Sequence, residues 1–314
     1  MRIAIALVAT LVASVTSAQS YPTKPIRFVV ATGPGGGDDF VARLLAPKLS
    51  EFLGQQVFVE NRAGAGGMVG QTFVAKSPAD GYTVLLAGGS MAGAKFVNAA
   101  ITYDLMRDFT PISLIETAPF ALVVSPSLPA RSVAEFIAFA KSRPGQLNYG
   151  TLGAGQIPFW AALLFNSMAG VQAQEIQYKS PAEATTDVMT ARIHYWFSPM
   201  ATAVAAKDKV RILGVTTPAR VPQVPEAPAI AETLAGFQMP AWRSMMGPAG
   251  LSADVVQALN RAVARSLEAP EIRERMTNAG SIPQPSTPAE LRKRYEEWIE
   301  IFGKIAKDTK LQPQ

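Results

Sequence analysis

Val29-Val30-Ala31-Thr32-Gly33-Pro34-Gly35-Gly36-Gly37-Asp38-Asp39-Phe40-Val41-Ala42-Arg43-Leu44-Leu45 is the stretch around which the chain is organised. An apolar β-type run, Ile26 to Ala31, enters a glycine-rich bend. Phe40, Val41, Leu44 and Leu45 then recur at helical spacing. Glycines let the backbone approach a ligand closely, and Asp38 or Asp39 is placed to cap the helix. A strand, a bare loop and a helix N-terminus together favour an anion, through unpaired N–H groups and the helix dipole. Pro34, Gly35, Gly36 and Asp39 are the candidate ligand contacts. Taken alone, the motif reads first as a tight βα turn with a capped helix.

The same device recurs further on. Leu147 to Tyr149 reads as a short strand, Gly150-Thr151-Leu152-Gly153-Ala154-Gly155-Gln156 as a loop, and Ile157 to about Ala169 as a helix. Two such loops facing each other make a cleft lined by donors from both sides, with Thr151, Gly153, Gly155, Gln156 and Phe159 as candidates. A third loop, Gly88-Gly89-Ser90-Met91-Ala92-Gly93, follows the strand Thr83 to Ala87. It approaches the G-x-S-x-G nucleophile elbow, but Ala92 replaces the last glycine. Ser90 and Met91 are therefore read as binding residues. Asn61 to Gly70 departs from the dinucleotide fingerprint at Val69 and reads as a structural turn. Asp187, inside a helix from Pro181 to Thr190, is a further ligand candidate, although a solvated or capping role suits it as well.

Composition narrows the function classes. The chain has 314 residues, 48% of them hydrophobic and 17% charged, with formal net charge +5. That length suggests two domains, and that apolar content argues against disorder. The basic excess is spread out, with no Lys/Arg run of the kind that marks a nucleic-acid arm. With no cysteine, disulfides, thiolate metal sites and cysteine nucleophiles are excluded. With His194 the single histidine, so is a multi-histidine metal site. No cofactor or metal is expected. Arg2, the apolar run Ile3 to Val15 and the small residues Thr16-Ser17-Ala18 read as a signal peptide over residues 1–20, cleaved near Ala18.

Strands at Glu175 to Tyr178, Ile193 to Phe197, Arg211 to Thr216 and Trp242 to Gly247 alternate with helices. That alternation implies parallel sheets covered by helices, with ligands beyond the C-terminal strand ends. The strand at Phe120–Ser125 and the return strand at Trp242–Gly247 divide the chain into lobe one, residues 21–122 plus 240–314, and lobe two, residues 123–239.

In order along the chain, Tyr21-Pro22-x-Lys24-Pro25-Ile26-Arg27, Pro34-Gly35-Gly36-x-x-Asp39-x-x-Ala42-Arg43 and Val59-Glu60-Asn61-Arg62-x-Gly64-Ala65-Gly66-Gly67 resemble the solute-binding proteins of tripartite tricarboxylate transporters, the Bug family. Asp80-Gly81-Tyr82-Thr83, Asp108-Phe109-Thr110-Pro111-Ile112, Pro144-Gly145-x-Leu147-Asn148-Tyr149, Tyr178-Lys179, and Trp242 before Gly247-Pro248-Ala249-Gly250 extend the resemblance over the whole mature chain. It implies a two-lobed periplasmic binding protein fold of type II topology with two crossover strands. It also implies an organic acid ligand and a separate membrane permease as partner, with the first glycine loop and the Thr151–Gln156 loop holding a carboxylate.

The chain departs from the family at Ala31-Thr32, where Pro-Phe is usual, and near Phe159, where a histidine is usual. It departs again at Ser180, where glycine is usual, and at His194, a position often acidic. The leading reading is a monomeric periplasmic binding protein without chemistry. The alternatives are a binding protein that reports to a signalling receptor, and an exported hydrolase using Ser90. Phe159, Trp160, Tyr195, Trp196 and Phe197 suggest an aromatic wall, and hence an aromatic or longer-chain carboxylate over citrate, unless the cluster is core.

Overall fold

The computed structural model describes residues 21–313; the expected signal peptide lies outside them. Two sheets carry the fold. β1 (Ile26–Val30), β2 (Val57–Asn61) and β3 (Thr83–Gly88) are parallel, each followed by a loop and a helical segment. These segments are α1 (Gly37–Leu53), α2 (Met68–Ala75) and α3 (Ala94–Val97). The long strand β4 (Phe109–Ala118) comes next. One residue, Pro119, separates it from β5 (Phe120–Val124), which belongs to the other sheet.

The second sheet continues through α4 (Val133–Lys141), β6 (Leu147–Thr151), α5 (Ile157–Ala169), β7 (Ala173–Gln177), α6 (Pro181–Met189), β8 (Tyr195–Pro199), α7 (Met200–Ala205) and β9 (Arg211–Val215). The chain then returns as β10 (Ala241–Pro248). It ends with α8 (Ala253–Glu268), α9 (Pro270–Asn278), β11 (Ile282–Pro283) and α10 (Pro288–Asp308). Strand orders are β11-β4-β10-β3-β1-β2 and β7-β6-β8-β5-β9.

The sheets are mixed, which corrects the all-parallel expectation. β10 runs antiparallel between β3 and β4, and β5 runs antiparallel between β8 and β9. The cause is the crossover. A strand leaving one sheet at Pro119, and one returning as β10, enter against the local strand direction. Proline has no N–H to continue a ladder, so the run can change partners there. Thr216 fastens the crossing. Its N–H donates to the Phe120 carbonyl at 2.9 Å, its Oγ1 accepts from the Phe120 N–H at 3.0 Å, and its carbonyl accepts from Met239 N–H at 3.0 Å.

Helix starts fall into two groups. Ser132, Ser180, Ser252 and Thr287 cap α4, α6, α8 and α10 with their hydroxyls, Thr287 in a capping box with Glu290. α1, α2 and α5 begin at Gly36, Gly67 and Gln156 with no side-chain cap. Asp38 and Asp39 thus lie inside the first turn of α1, which corrects the expectation that one of them caps it.

The largest apolar cluster is continuous across both sheets. Trp160 of α5 packs on Phe302 of α10 with ring centroids 4.5 Å apart, and a Cβ at Gly93 would sit 2.8 Å from its ring. Gly93 is therefore glycine because the indole lies on its backbone. Replacing Trp160 with Ala opens a cavity between the two halves. The expected loss is about 3–5 kcal/mol of unfolding free energy in urea titration; a loss within experimental error would contradict this packing account.

A donor-lined cleft between the sheets

The loops after β1, β2 and β3 meet the loop after β6 across a cleft, at the carboxyl ends of the strands. Two adjoining compartments, of about 310 and 170 Å³, occupy it. Both are lined by Gly66, Gln71, Ser90 and Gln156, which mark where they join. The first is also lined by Ala65, Met91 and Asn98 on one side and by Ala154 and Gly155 on the other. The second reaches Thr32, Asp38, Trp242 and Arg243 on the first sheet's side, and Leu152, Ile157 and Pro158 opposite.

Four of the expected contacts, Ser90, Met91, Gly155 and Gln156, line the cleft. Pro34, Gly35, Gly36 and Asp39 line neither compartment: the first three are exposed, and Asp39 is buried and engaged elsewhere. Its carboxylate accepts from Gly35 N–H at 2.9 Å, Arg43 Nε at 2.9 Å and Asn61 Nδ2 at 2.9 Å. The Arg43 hydrogen bond, with that of Gly35, holds the Asp39 carboxyl down at about 2. The loop Gly33–Asp39 is thus braced by its own aspartate.

Thr151 is buried and donates to Glu175 at 2.6 Å, and Gly153 is buried beside it. Phe159 faces a different recess beside Glu175 and Gln177, and Asp187 accepts from Tyr178 at 2.9 Å. None of these four lines either cleft compartment.

The aromatic wall is corrected. Phe159, Trp160, Tyr195, Trp196 and Phe197 are all buried within the core clusters: β8 has both faces covered, so Tyr195, Trp196 and Phe197 all turn inward, and Phe159 and Trp160 lie on α5, packed into the same core as Phe302. The preference for an aromatic ligand therefore has no structural basis. His194 accepts the Asn148 N–H on Nδ1 at 2.9 Å and continues the sheet.

Two features were missed. The loop Gly64–Gly70, read as structural, supplies Ala65, Gly66 and Gly67 to the cleft. Its signal was available: it follows β2 at the same sheet edge as the other loops, and Gly67, at φ +100°, starts α2 in a conformation that favours glycine. Arg243 was also missed, because its partners lie 205 and 127 residues away. Its Nε donates to Asp38 at 2.5 Å and its Nη1 to Glu116, its cross-strand neighbour in the β10–β4 ladder. Burial works against the guanidinium charge, but Asp38 and Glu116 outweigh it and raise the Arg243 pKa. A register shift next to Arg243 turns its side chain toward the first turn of α1.

Two lobes facing each other across a cleft lined by loops at the strand ends define the class of bilobal solute-binding receptors. Residues 41–311 match the family described as "Tripartite tricarboxylate transporter family receptor". The chain is 31% identical to protein BugT of Bordetella pertussis, over 95% of this chain and 93% of that one. Among solved structures it resembles "R. palustris Rpa4515 with adipate", with TM-score 0.79 and 32% identity, covering 94% of this chain and 100% of that one. It also resembles MatC from Rhodopseudomonas palustris with bound malate, with TM-score 0.75 and 29% identity, covering 91% and 99%. The chain belongs to the tripartite tricarboxylate transporter receptors, the Bug family.

Desolvation lowers the His194 pKa below its usual 6.5. The neutral ring is the form that accepts from Asn148, so protonation also breaks that bond. A histidine depressed in the fold contributes stability above the unfolded pKa, and loses it as pH falls. The protein is expected to lose stability as pH falls below about 6.5, and His194→Gln to lose less, as read by thermal melts from neutral to acid pH. Parallel profiles would contradict the structural role.

Proposed function

We propose that the chain is a monomeric, exported receptor that captures an organic carboxylate between lobe one (residues 21–122 and 240–314) and lobe two (residues 123–239). It delivers the ligand to the permease of a tripartite tricarboxylate-type transporter, and its signal peptide is removed near Ala18. Among the described residues, no helix is long and apolar enough to cross a membrane.

The observation that carries the reading is the pair of helix starts at the junction of the compartments. α2 begins after Gly67 and α5 after Gln156, one from each side. Neither has a side-chain cap or an acidic residue in its first turn. The dipole favours an anion at both ends; α5 adds the first-turn N–H of Ile157, whereas at α2 the N–H groups of Gly67, Met68 and Val69 turn back onto Gly64 and Ala65. Ser90, Gln71 and Gln156 add neutral donors. Charge-assisted bonds to several amides hold a carboxylate without a salt bridge. Adipate and malate in the two relatives belong to the same chemical class.

Catalysis at Ser90 lacks a histidine base: His194, the chain's single histidine, is bonded to Asn148 and lines neither compartment.

A thermal-shift screen over mono-, di- and tricarboxylates tests the reading. At least one is expected to raise the melting temperature without being consumed, because a ligand of the native state stabilises it by mass action. Ser90→Ala and Gln156→Ala are each expected to weaken that ligand by about tenfold, the effect of one lost hydrogen bond to a charged group. No response to any carboxylate, or full affinity in both variants, contradicts it.

A further inference from the structure

We propose that the second compartment receives a protonated amine, so that the ligand is a carboxylate that also carries a cationic nitrogen. The inference rests on the carboxylate reading above and adds the chemistry of the ligand's other end.

Asp38 and Arg243 are the charged side chains lining the two compartments among the described residues. They do not cancel. Arg243 is shared between Asp38 and Glu116, and Glu116 is wholly buried. Two carboxylates on one guanidinium leave one negative charge at the compartment wall. Glu116 Oε2 is buried with no hydrogen-bond partner, a costly arrangement unless the cluster gains positive charge. Asp38 remains partly open to the cleft, and its Oδ2 accepts only from the exposed Thr32 hydroxyl, at 3.2 Å. It has lone pairs left for a donor on the ligand.

α1 gives the same sign. Its first turn carries Asp38, which offsets the positive end of the helix dipole on the cleft side; Asp39 is buried and paired with Arg43. α2 and α5 have no such residues. The cleft is therefore polarised: anion-seeking at the junction near Ser90 and Gln156, cation-seeking at Asp38. A dicarboxylate spanning both would set its second carboxylate against Asp38, and like charges brought together in a desolvated site repel. An amino acid satisfies both ends.

Calorimetry on the signal-free chain at neutral pH decides it, with three length-matched pairs. The pairs are succinate and 4-aminobutanoate, glutarate and 5-aminopentanoate, and adipate and 6-aminohexanoate. In at least one pair the amino acid is expected to bind about tenfold or more tightly than the dicarboxylate. Asp38→Asn is expected to erase or reverse that ranking, and Glu116→Gln, which removes the other negative charge, to move it the same way. Should either variant fail to fold, the wild-type ranking still decides. A dicarboxylate that binds as tightly as, or more tightly than, its amino acid in every pair overturns the inference and leaves the carboxylate reading standing. Silence from all six ligands overturns the inference, and the carboxylate reading falls with it only if the wider carboxylate screen is silent too.

Discussion

Everything about the cleft depends on one seam. At Phe120, Thr216 and Met239 the outgoing and returning chains are hydrogen-bonded side by side, with Thr216 fully buried. Pro119 allows the outgoing strand to leave one ladder and join another without a break in the chain's extension. The two sheets are therefore joined through β4 and β5, both interior strands, and the loops at the strand ends face one another. Phe120 lies on this seam and also lines the second compartment, so the joint forms part of the cleft wall.

Packing reinforces the seam from behind. Trp160 from one half rests on Gly93 and Phe302 from the other, and Trp242 stacks edge-on against Tyr295 and Trp298. α10, last in sequence, thus touches both halves. Aromatic pairs of this kind add to the hydrophobic gain of burial. With the rear held by apolar contact and the front lined by neutral donors, charge in the cleft comes from a single cluster. Asp38, Glu116 and Arg243 come from three separate strands or helices of the first sheet's layer, and only the finished fold brings them together.

Most of the fold was legible because its signals are local. The glycine that ends α1, the capping serines, and the apolar runs of β1, β3, β5 and β8 are readable from neighbouring residues. β4 was not read as a strand: its ten residues carry Pro111, Ser113, Glu116 and Thr117, polar or ladder-breaking types that suit a crossover and disguise a buried strand. The site was half legible. Loops after strands pointed to Ser90, Met91, Gly155 and Gln156, because position at a strand's carboxyl end is a local property. Side-chain direction is not, so Asp39, Thr151 and Phe159 turned out to brace or fill. Arg243 had no local mark at all, since its meaning lies in Asp38 and Glu116.

The central claim is that backbone amides from both lobes grip one carboxylate in the cleft. Amide NMR during titration with a stabilising carboxylate tests it most directly. The account predicts that the amides of Gly66, Gly67 and Ser90 shift together with those of Gly155, Gln156 and Ile157, along one binding curve. Shifts confined to one lobe, or centred on the surface groove beside Met168 and Ile301, would contradict it.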